Sequence, residues 1–357
     1  MTETSPVAHP CPEVDYRHGA PPGPVGSFFT QLDGYQDIAR PAVRTNEAGG
    51  YWLFTDHAAL LDGLKQPGLW SSSVIVATEP DPSYRWIPIM LDPPVHTKWR
   101  KLLGSWFTPA RVKAIKDEQH KWAAQLAESL RARGECDFVR DFAQVFPAMV
   151  FLDIVGMPME KLDEFLVWEH MMLHQNSETD PDGEILLAGM KAVQRYFAVL
   201  IAQRRARQDP DARDLVSAAA TWEIDGAPIP DEDILNCLLL LFMAGLDTVA
   251  GEASYAMHHL ATHRADRARI VDDPGLIPHA VDELLRAYSI VQVARTATRD
   301  AEFHGCAVRK GDRAQFSLSV AGRDELVYSD ARTVDFDRED TRNLAFGAGP
   351  HVCPGSH

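Results

Sequence analysis

The feature that most constrains the fold is the segment 231–263, which contains no proline and is long enough for a helix of about 50 Å. Residues 238–243 are apolar on every side of such a helix, so other elements must cover it all round. The apolar run covers only residues 238–246, because Asp247 ends it. A run of this length is far too short to span a membrane. The segment therefore predicts a central, buried helix in a protein that does not cross a membrane.

Helical patterns fill the middle of the chain, and shorter alternating segments follow them. Residues 94–134 indicate two amphipathic helices, broken at Thr108-Pro109 and stopped by Gly134. After Arg286, short stretches of alternating apolar and polar residues between turns are typical of antiparallel strands. No internal repeat or long linker divides the sequence. We therefore predict a mainly α protein with a small β portion, folded as a single domain over residues 1–357.

The charge of the chain narrows its possible partners. Its 51 acidic and 35 basic side chains give a formal charge of −16, which leaves no broad cationic face for nucleic acid. Six basic residues nevertheless lie in residues 98–116, a stretch without any acid. This basic stretch is either the solvated face of a helix or a docking patch for an acidic protein partner.

The cysteines and the N-terminal residues favour a cytoplasmic protein. The five cysteines are scattered singly and form no C-x-x-C pair, which argues against a disulfide framework and for a reducing compartment. Residues 1–26 lack the cationic and apolar regions of a signal peptide. Their prolines and glycines are typical of an extended arm on the surface.

The stretch FGAGPHVCPGSH surrounds one thiol with residues that free the backbone. Gly347, Gly349 and Gly355 permit left-handed or close-approach conformations, which a loop folded tightly around Cys353 requires. A thiol presented by such a loop suits coordination of a metal, which deprotonates it. From these residues alone an inert buried cysteine is the alternative, and the neighbouring histidines match no zinc spacing.

Two further groups of residues suggest chemistry. In AGLDTVAG, small residues lie beside Asp247 and Thr248, so a bulky group can pack closely against the long helix at this point. This is either a polar notch that handles protons beside a ligand, or a satisfied buried acid next to a threonine bonded to its own helix. In DELLRAYS, Glu283 and Arg286 share a helix face and can form an ion pair, which we expect to be buried because their neighbours are apolar.

Together these motifs resemble the cytochrome P450 family of haem-thiolate monooxygenases. The pattern F-G-x-G-x-H-x-C-x-G begins at Phe346, A-G-x-D-T at Ala244, and E-x-x-R at Glu283. The resemblance covers essentially the whole chain and is closest to soluble bacterial enzymes of the camphor-hydroxylase type, echoed in YRWIPIMLDPP. It implies the P450 fold, C-terminally truncated because other members continue past the cysteine with a helix and strands.

The resemblance implies a haem b cofactor, with Cys353 as the axial thiolate ligand of the iron. The other positions that match haem contacts are His351, Arg100, Trp99, His96, Arg295, Phe346, Ala244 and Gly347. Asp247 and Thr248 match the pair that delivers protons during catalysis. A buried structural network is matched by Glu283, Arg286 and Arg338.

The resemblance also implies a substrate and a source of electrons. Substrate-facing positions are matched by Tyr84, Trp86, Ile87, Leu240, Met243, Val291 and Val293. Because all but the tyrosine hydroxyl are apolar, we expect a compact hydrophobic substrate such as a terpenoid, oriented by one hydrogen bond from Tyr84. One oxygen atom from O2 would be inserted into it. Electrons would come from NAD(P)H through a reductase and an acidic 2Fe–2S ferredoxin that docks on the basic stretch.

Three other functions stay open, and one residue departs from the family pattern. A peroxygenase would use hydrogen peroxide and usually lacks the Asp–Thr pair, a haem-binding sensor would not turn over substrate, and a zinc-binding interaction protein would hold no haem. Pro354 follows the cysteine and has no amide proton to donate to sulfur. We therefore expect an electron-rich thiolate and a low haem potential.

Overall fold

A computed structural model describes residues 11–19, 21, 23–175, 178–207, 209 and 213–356. Its helices are α1 Ser27–Ile38, α2 His57–Leu64, α3 Val95–Gly104, α4 Pro109–Arg133, α5 Val145–Val155, α6 Leu162–Leu173, α7 Glu184–Arg207, α8 Leu215–Ala219, α9 Asp231–Thr262, α10 Arg264–Asp272, α11 Ile277–Tyr288 and α12 Leu318–Ala321. Its strands are β1 Ala42–Thr45, β2 Tyr51–Phe54, β3 Trp70–Ser71, β4 Glu223–Ile224, β5 Ala227–Pro228, β6 Gln292–Ala297, β7 Ala301–Phe303, β8 Cys306–Val308 and β9 Arg313–Ser317. The prediction of a mainly α protein with a small β portion is confirmed.

The break between α3 and α4 lies where the sequence predicts it. The Thr108 side chain accepts a hydrogen bond from the backbone N–H of Arg111 at 3.3 Å, and Pro109 occupies the first turn of α4. At the other end of α4, Gly134 has a φ of 80°, a left-handed conformation that commonly closes a helix at glycine. Local chemistry therefore sets both ends of this helix.

The largest sheet has five strands in the order β1-β2-β9-β6-β3. β2 pairs in parallel with β9, and the other neighbouring strands are antiparallel. β6 and β9 pair with Arg295 opposite Ala314, which fixes Arg295 in an inner strand of the sheet. Two short antiparallel pairs, β4–β5 and β7–β8, account for the other labelled strands.

The chain divides into two compact units. Unit 1 comprises Met1–Tyr84, Ile89–Pro93 and His258–Cys353, and unit 2 comprises Arg85–Pro88, Pro94–Met257 and Pro354–His357. In unit 1, the rings of Phe54, Trp70 and Phe316 pack with centroids 5.2 to 5.8 Å apart. This aromatic cluster lies where β2, β3 and β9 bring their side chains together.

Cys11 and Cys306 form a disulfide in unit 1, so the expectation that all five cysteines stand alone is wrong for this pair. The N-terminal segment runs beside β1, where the backbone N–H of Val14 donates to the carbonyl oxygen of Arg44 at 2.8 Å. That course brings Cys11 to β8. The two cysteines are 295 residues apart, so no local spacing in the sequence reveals the pairing.

The predicted central helix is α9, most of which belongs to unit 2. Its residues 237–240 are buried, and Phe242 packs on Phe151 and Phe165 with ring centroids 5.8 and 5.3 Å apart. By length and composition α7 and α9 could each cross a membrane, a test that the core helix of a soluble protein also meets. The most apolar part of α9 is 44% buried and that of α7 is 22% buried.

Candidate active site

The loop before Cys353 is held by its own backbone. The Cys353 N–H donates to the carbonyl oxygen of Phe346 at 2.9 Å, which closes a turn between the two residues. Gly347 and Gly349 have φ values of 71° and 68°, in the left-handed region where other side chains are strained. A Cβ atom added to Gly349 would also lie 2.3 Å from the carbonyl oxygen of Leu64. The fold therefore requires both glycines, and it leaves the thiol half-buried.

Arg295 is a buried cation of unit 1 that forms no ion pair with any described residue. Arg295 on β6 is 6% exposed, and among the described residues its hydrogen bonding is limited to the carbonyl oxygen of Ala294, 2.7 Å from Nη1. Burial lowers the pKa of Arg295 to about 10, and the charge of Asp92 offsets part of this effect. A buried charge is costly unless an anion meets it. The position therefore fits the carboxylate of a ligand.

Asp92 acts on Arg295 through its charge but forms no ion pair with it. It accepts hydrogen bonds from the Ser71 hydroxyl and from the backbone N–H of Ser72, the latter at 2.8 Å. The Ser72 hydroxyl lies 3.0 Å from Nε2 of His351. Unit 1 thus supplies a thiol, an imidazole and a buried guanidinium from the predicted haem contacts. This donor set fits a metal cofactor that carries carboxylates, as haem b does.

Helix α3 of unit 2 carries three further residues predicted to contact the cofactor. His96 and Arg100 are one helical turn apart, His96 buried and Arg100 half-buried. Trp99 is buried and packs edge-on against Trp222, with ring centroids 6.2 Å apart. The structure thus gives Trp99 a packing role, and its hydrogen bond to the cofactor stays a prediction. The same holds for the contacts predicted from Phe346, Gly347 and Ala244.

The polar notch lies on α9 in unit 2. The Thr248 hydroxyl donates to the carbonyl oxygen of Ala244 at 2.8 Å, which is the backbone arrangement that the sequence left open. The Asp247 side chain is 45% exposed, and its Oδ1 lies 3.7 Å from Nε2 of His174. Partial burial raises the pKa of Asp247, and the nearby His174 lowers it in part. A carboxyl group with a raised pKa is suited to binding and releasing protons.

Sequence reasoning missed the two residues next to Asp247. Glu169 on α6 is 2% exposed, and its Oε1 lies 3.1 Å from Nε2 of His174. The hydrogen bond to Glu169 raises the pKa of His174. The stretch WEHMMLHQ contains both residues, but its acid and histidines equally suit the solvated face of a helix. Since α6 and α9 lie far apart in the sequence, no spacing connects these residues with Asp247.

The E-x-x-R pair is fully buried in unit 1. Glu283 accepts two hydrogen bonds from Arg286, at 2.7 and 2.8 Å, and both side chains are 0% exposed. Nε of Arg338 also donates to Glu283, at 3.0 Å. Arg286 donates further to the carbonyl oxygens of Ala331 and Thr333, at 2.6 and 2.9 Å. The three residues that the sequence assigns to a structural network therefore meet around one carboxylate.

The predicted substrate-facing residues lie in both units. The Tyr84 hydroxyl donates a hydrogen bond to the carboxylate of Glu79, and its predicted bond to a substrate stays a prediction. Ile87 is fully buried, and Val291 and Val293 pack against a core cluster of unit 1. The remaining positions, all partly or largely buried in unit 2, are Trp86, Leu240 and Met243. Contact of these side chains with a substrate stays a prediction.

Comparison with known proteins identifies the family. The family model described as Cytochrome P450 matches residues 275–357. The probable cytochrome P450 127A1 of Sinorhizobium fredii is 30% identical over 99% of this chain and 87% of that protein. The steroid C26-monooxygenase of Mycobacterium tuberculosis is 33% identical over 93% of this chain and 83% of its own length. The solved structure of the bottromycin biosynthetic protein SalCYP matches with a TM-score of 0.84 at 30% identity, over 97% of this chain and 84% of that chain. With these relatives and with its cysteine loop, notched helix and buried E-x-x-R pair, the chain belongs to the cytochrome P450 family, whose members bind haem b.

Proposed function

We propose that this protein is a haem-thiolate monooxygenase that inserts one oxygen atom from O2 into a small hydrophobic substrate. Its electrons come from NAD(P)H through a reductase and a 2Fe–2S ferredoxin. The observation that carries the proposal is the buried Arg295, which forms no ion pair with a described residue, in the unit that also contains the glycine-constrained loop of Cys353. The relative named as a steroid C26-monooxygenase supports an oxygen-inserting activity.

Bound haem supplies the iron chemistry that activates dioxygen. In this proposal Cys353 binds the iron, and Arg295 and His351 hold the propionates through charge-assisted hydrogen bonds. Asp247 takes up protons from solvent, to which nearly half of its side chain is exposed, and passes them on with Thr248. Because the Thr248 hydrogen is engaged with the helix backbone, its oxygen acts first as a hydrogen-bond acceptor. Two residues of α3 are further propionate partners, His96 and Arg100.

The carbon monoxide difference spectrum of the reduced protein tests this proposal, because thiolate-ligated haem has a distinctive absorption band. We expect that band, and we expect substrate-dependent consumption of NADH in the presence of ferredoxin and reductase. A haem sensor would show the band without consuming NADH. A peroxygenase would convert substrate with hydrogen peroxide and without the reductase, and a zinc-binding protein would show no haem band. Each of these three results would overturn the proposal.

The proposed substrate is a compact hydrophobic molecule, with terpenoids as the first candidates. Apolar side chains dominate the predicted pocket, and the hydroxyl of Tyr84 is engaged by Glu79, so binding would depend mainly on burial of apolar surface. The name of the steroid C26-monooxygenase makes steroids the second class to test. Titration of the haem spectrum with both classes would identify a ligand, and the absence of any shift with either class would contradict this choice.

The structure narrows the proposed docking patch for the ferredoxin. Lys98 is paired with Asp225, and the guanidinium of Arg111 lies 3.7 Å from the centroid of the Trp106 ring. Lys101, Lys113 and Lys116 are exposed, and they form neither an ion pair nor a ring contact with a described residue. An acidic partner would therefore meet the end of α3 and the first turns of α4.

Changing Lys101 or Lys113 to glutamate is expected to slow reduction by the ferredoxin about tenfold at low salt, because like charges then repel at encounter. Stopped-flow reduction at several ionic strengths measures the effect, which should shrink as salt screens the charges. Lys191→Glu makes the same charge change on an exposed position of α7 and should leave the rate near that of the parent protein. Equal rates for all variants at every ionic strength would leave the basic stretch as a solvated helix face.

Pro354→Leu is expected to raise the reduction potential of the haem. The N–H of Cys353 is used by Phe346, and Pro354 has no N–H, so leucine would add an amide donor next to the sulfur. A hydrogen bond to a thiolate withdraws charge from the metal. Spectroelectrochemical titration of both proteins measures the potential. An unchanged value would show that the amide proton at this position does not reach the thiolate.

We also propose a cytoplasmic location without nucleic-acid or membrane partners. The acidic balance of −16 supports the exclusion of nucleic acid. The Cys11–Cys306 disulfide argues the other way on location, because disulfides are rare in cytosolic proteins. Fractionation of the native cells distinguishes a cytoplasmic location from the alternatives. Recovery of the protein in the membrane or secreted fraction would contradict this proposal.

A further inference from the structure

Three metal-ligating side chains converge in unit 2, and only one of them, Asp247, belongs to a motif found in the sequence. Glu169 lies on α6, His174 follows the last residue of that helix, and Asp247 lies on α9. Nε2 of His174 is 3.1 Å from Oε1 of Glu169 and 3.7 Å from Oδ1 of Asp247. One ligand atom from each residue lies within 4.8 Å of the other two. Two parts of the chain that are distant in sequence thus contribute donors to one point.

The two carboxylates of this group lie near one and the same nitrogen atom. Both carboxylates approach the same nitrogen of His174, which carries at most one hydrogen and can satisfy only one of them. Nε2 of Gln144 approaches the same nitrogen at 3.4 Å. Among the described residues no lysine or arginine forms an ion pair with Glu169 or Asp247. Two carboxylates, one of them only 2% exposed, therefore share a single imidazole as their partner.

A small divalent cation would meet all three donors at once. Imidazole nitrogen and carboxylate oxygen are zinc ligands with bonds of about 2.0–2.2 Å, so a tetrahedral site separates its ligand atoms by about 3.3–3.6 Å. The two separations from Nε2 of His174, 3.1 and 3.7 Å, bracket that value. The third separation joins the carboxylate oxygens of Glu169 and Asp247, and small rotations of these two side chains would bring it to the same value. The half-exposed Asp247 and His174 leave a path for the ion and for water as a fourth ligand.

We propose that Glu169, His174 and Asp247 form a binding site for a zinc ion, one per chain. The ion binds neutral His174 and both carboxylates, so any proton on the imidazole is released to solvent on binding. The consequence for catalysis rests on the proposed function. Since Asp247 coordinated to zinc cannot carry protons, zinc inhibits turnover.

Calorimetric titration with zinc chloride tests the site. The protein used is the haem-containing enzyme, from which other metal ions have been removed with a chelator. We expect one tight site per chain in the parent protein and at least about a tenfold loss of affinity in His174→Gln and in Glu169→Gln. His120→Gln, which removes an exposed histidine from α4, is the matched control and should bind zinc as the parent does. Binding of cobalt(II) should give an intense ligand-field spectrum that the two site variants lack. Failure to bind zinc, or equal affinity in parent and site variants, would overturn the proposal.

The zinc site can be tested independently of the proposed monooxygenase function. His174 is partly exposed, so its variant should keep the fold, and the melting curve and haem content of each variant verify this. Calorimetry and the cobalt spectrum do not depend on turnover, so they decide the site even if no oxygenase activity is found. If zinc binds at these residues and NADH consumption is unchanged, the site stands and the proton-carrying role of Asp247 is wrong.

Discussion

Replacement of Cys353 by alanine is expected to remove the thiolate-ligated haem spectrum completely and to reduce oxygenase turnover to the background level. The reason is that Cys353 would hold the iron of bound haem through its sulfur, and alanine offers no ligand atom in its place. The loop itself should persist, because its turn depends on the backbone bond from residue 353 to Phe346 and on two glycines. Haem content, the carbon monoxide difference spectrum and NADH consumption are the measurements.

Cys136→Ala supplies the control for this experiment. Cys136 is a free and exposed cysteine, so its loss should change neither the spectrum nor the turnover. A Cys353→Ala protein that kept both its pigment and its activity would contradict the assignment of the ligand. It would also remove the main support for the proposed function.

Glu283→Gln is expected to lower the free energy of unfolding by about 3–5 kcal/mol, the cost typical of removing one partner of a buried ion pair. Arg286 and Arg338 would lose their shared carboxylate while both remain buried. The amide also puts an N–H donor against guanidinium donors, so the geometry cannot be restored by rotation. Chemical denaturation followed by circular dichroism measures the change.

Glu128→Gln is a matched control for the same chemistry on the surface. Glu128 and Arg131 have the same i, i+3 spacing and form a two-bond ion pair, but both side chains are exposed. Solvent screens such a pair, so its loss should have little effect on unfolding. Similar unfolding curves for the two variants would show that burial does not determine how much the E-x-x-R pair contributes to the free energy of unfolding.

The sequence was sufficient for features that depend on neighbouring residues. The break at Thr108-Pro109, the stop at Gly134 and the burial of residues 237–240 of α9 follow from local propensity and from apolar patterning. The Glu283–Arg286 pair also follows, because a helix places residues three apart on one face. In each case the interacting groups lie within one element or at its end.

The parts that could not be predicted depend on contacts between distant segments. Nothing near Asp247 in the sequence indicates that His174 lies beside it, because the packing of α6 and α9 creates that contact. The disulfide of Cys11 depends in the same way on the course of the N-terminal segment along β1. The bond from Tyr84 to Glu79 is local, but both residues lie in a loop, where the residue pattern does not select one pairing. The sequence therefore predicts the helices and strands, but it does not predict which residues of distant segments come into contact.

The parallel pairing of β2 with β9 has a consequence for how the protein is made. Trp52 donates from its indole nitrogen to Asp312 at 3.0 Å, across 260 residues of chain. On the ribosome the β1–β2 hairpin must therefore wait, with an open edge, until most of the polypeptide has emerged. Because pairing between distant segments is slow in general, we expect this sheet to form after the helices and its open edge to be exposed to aggregation until then.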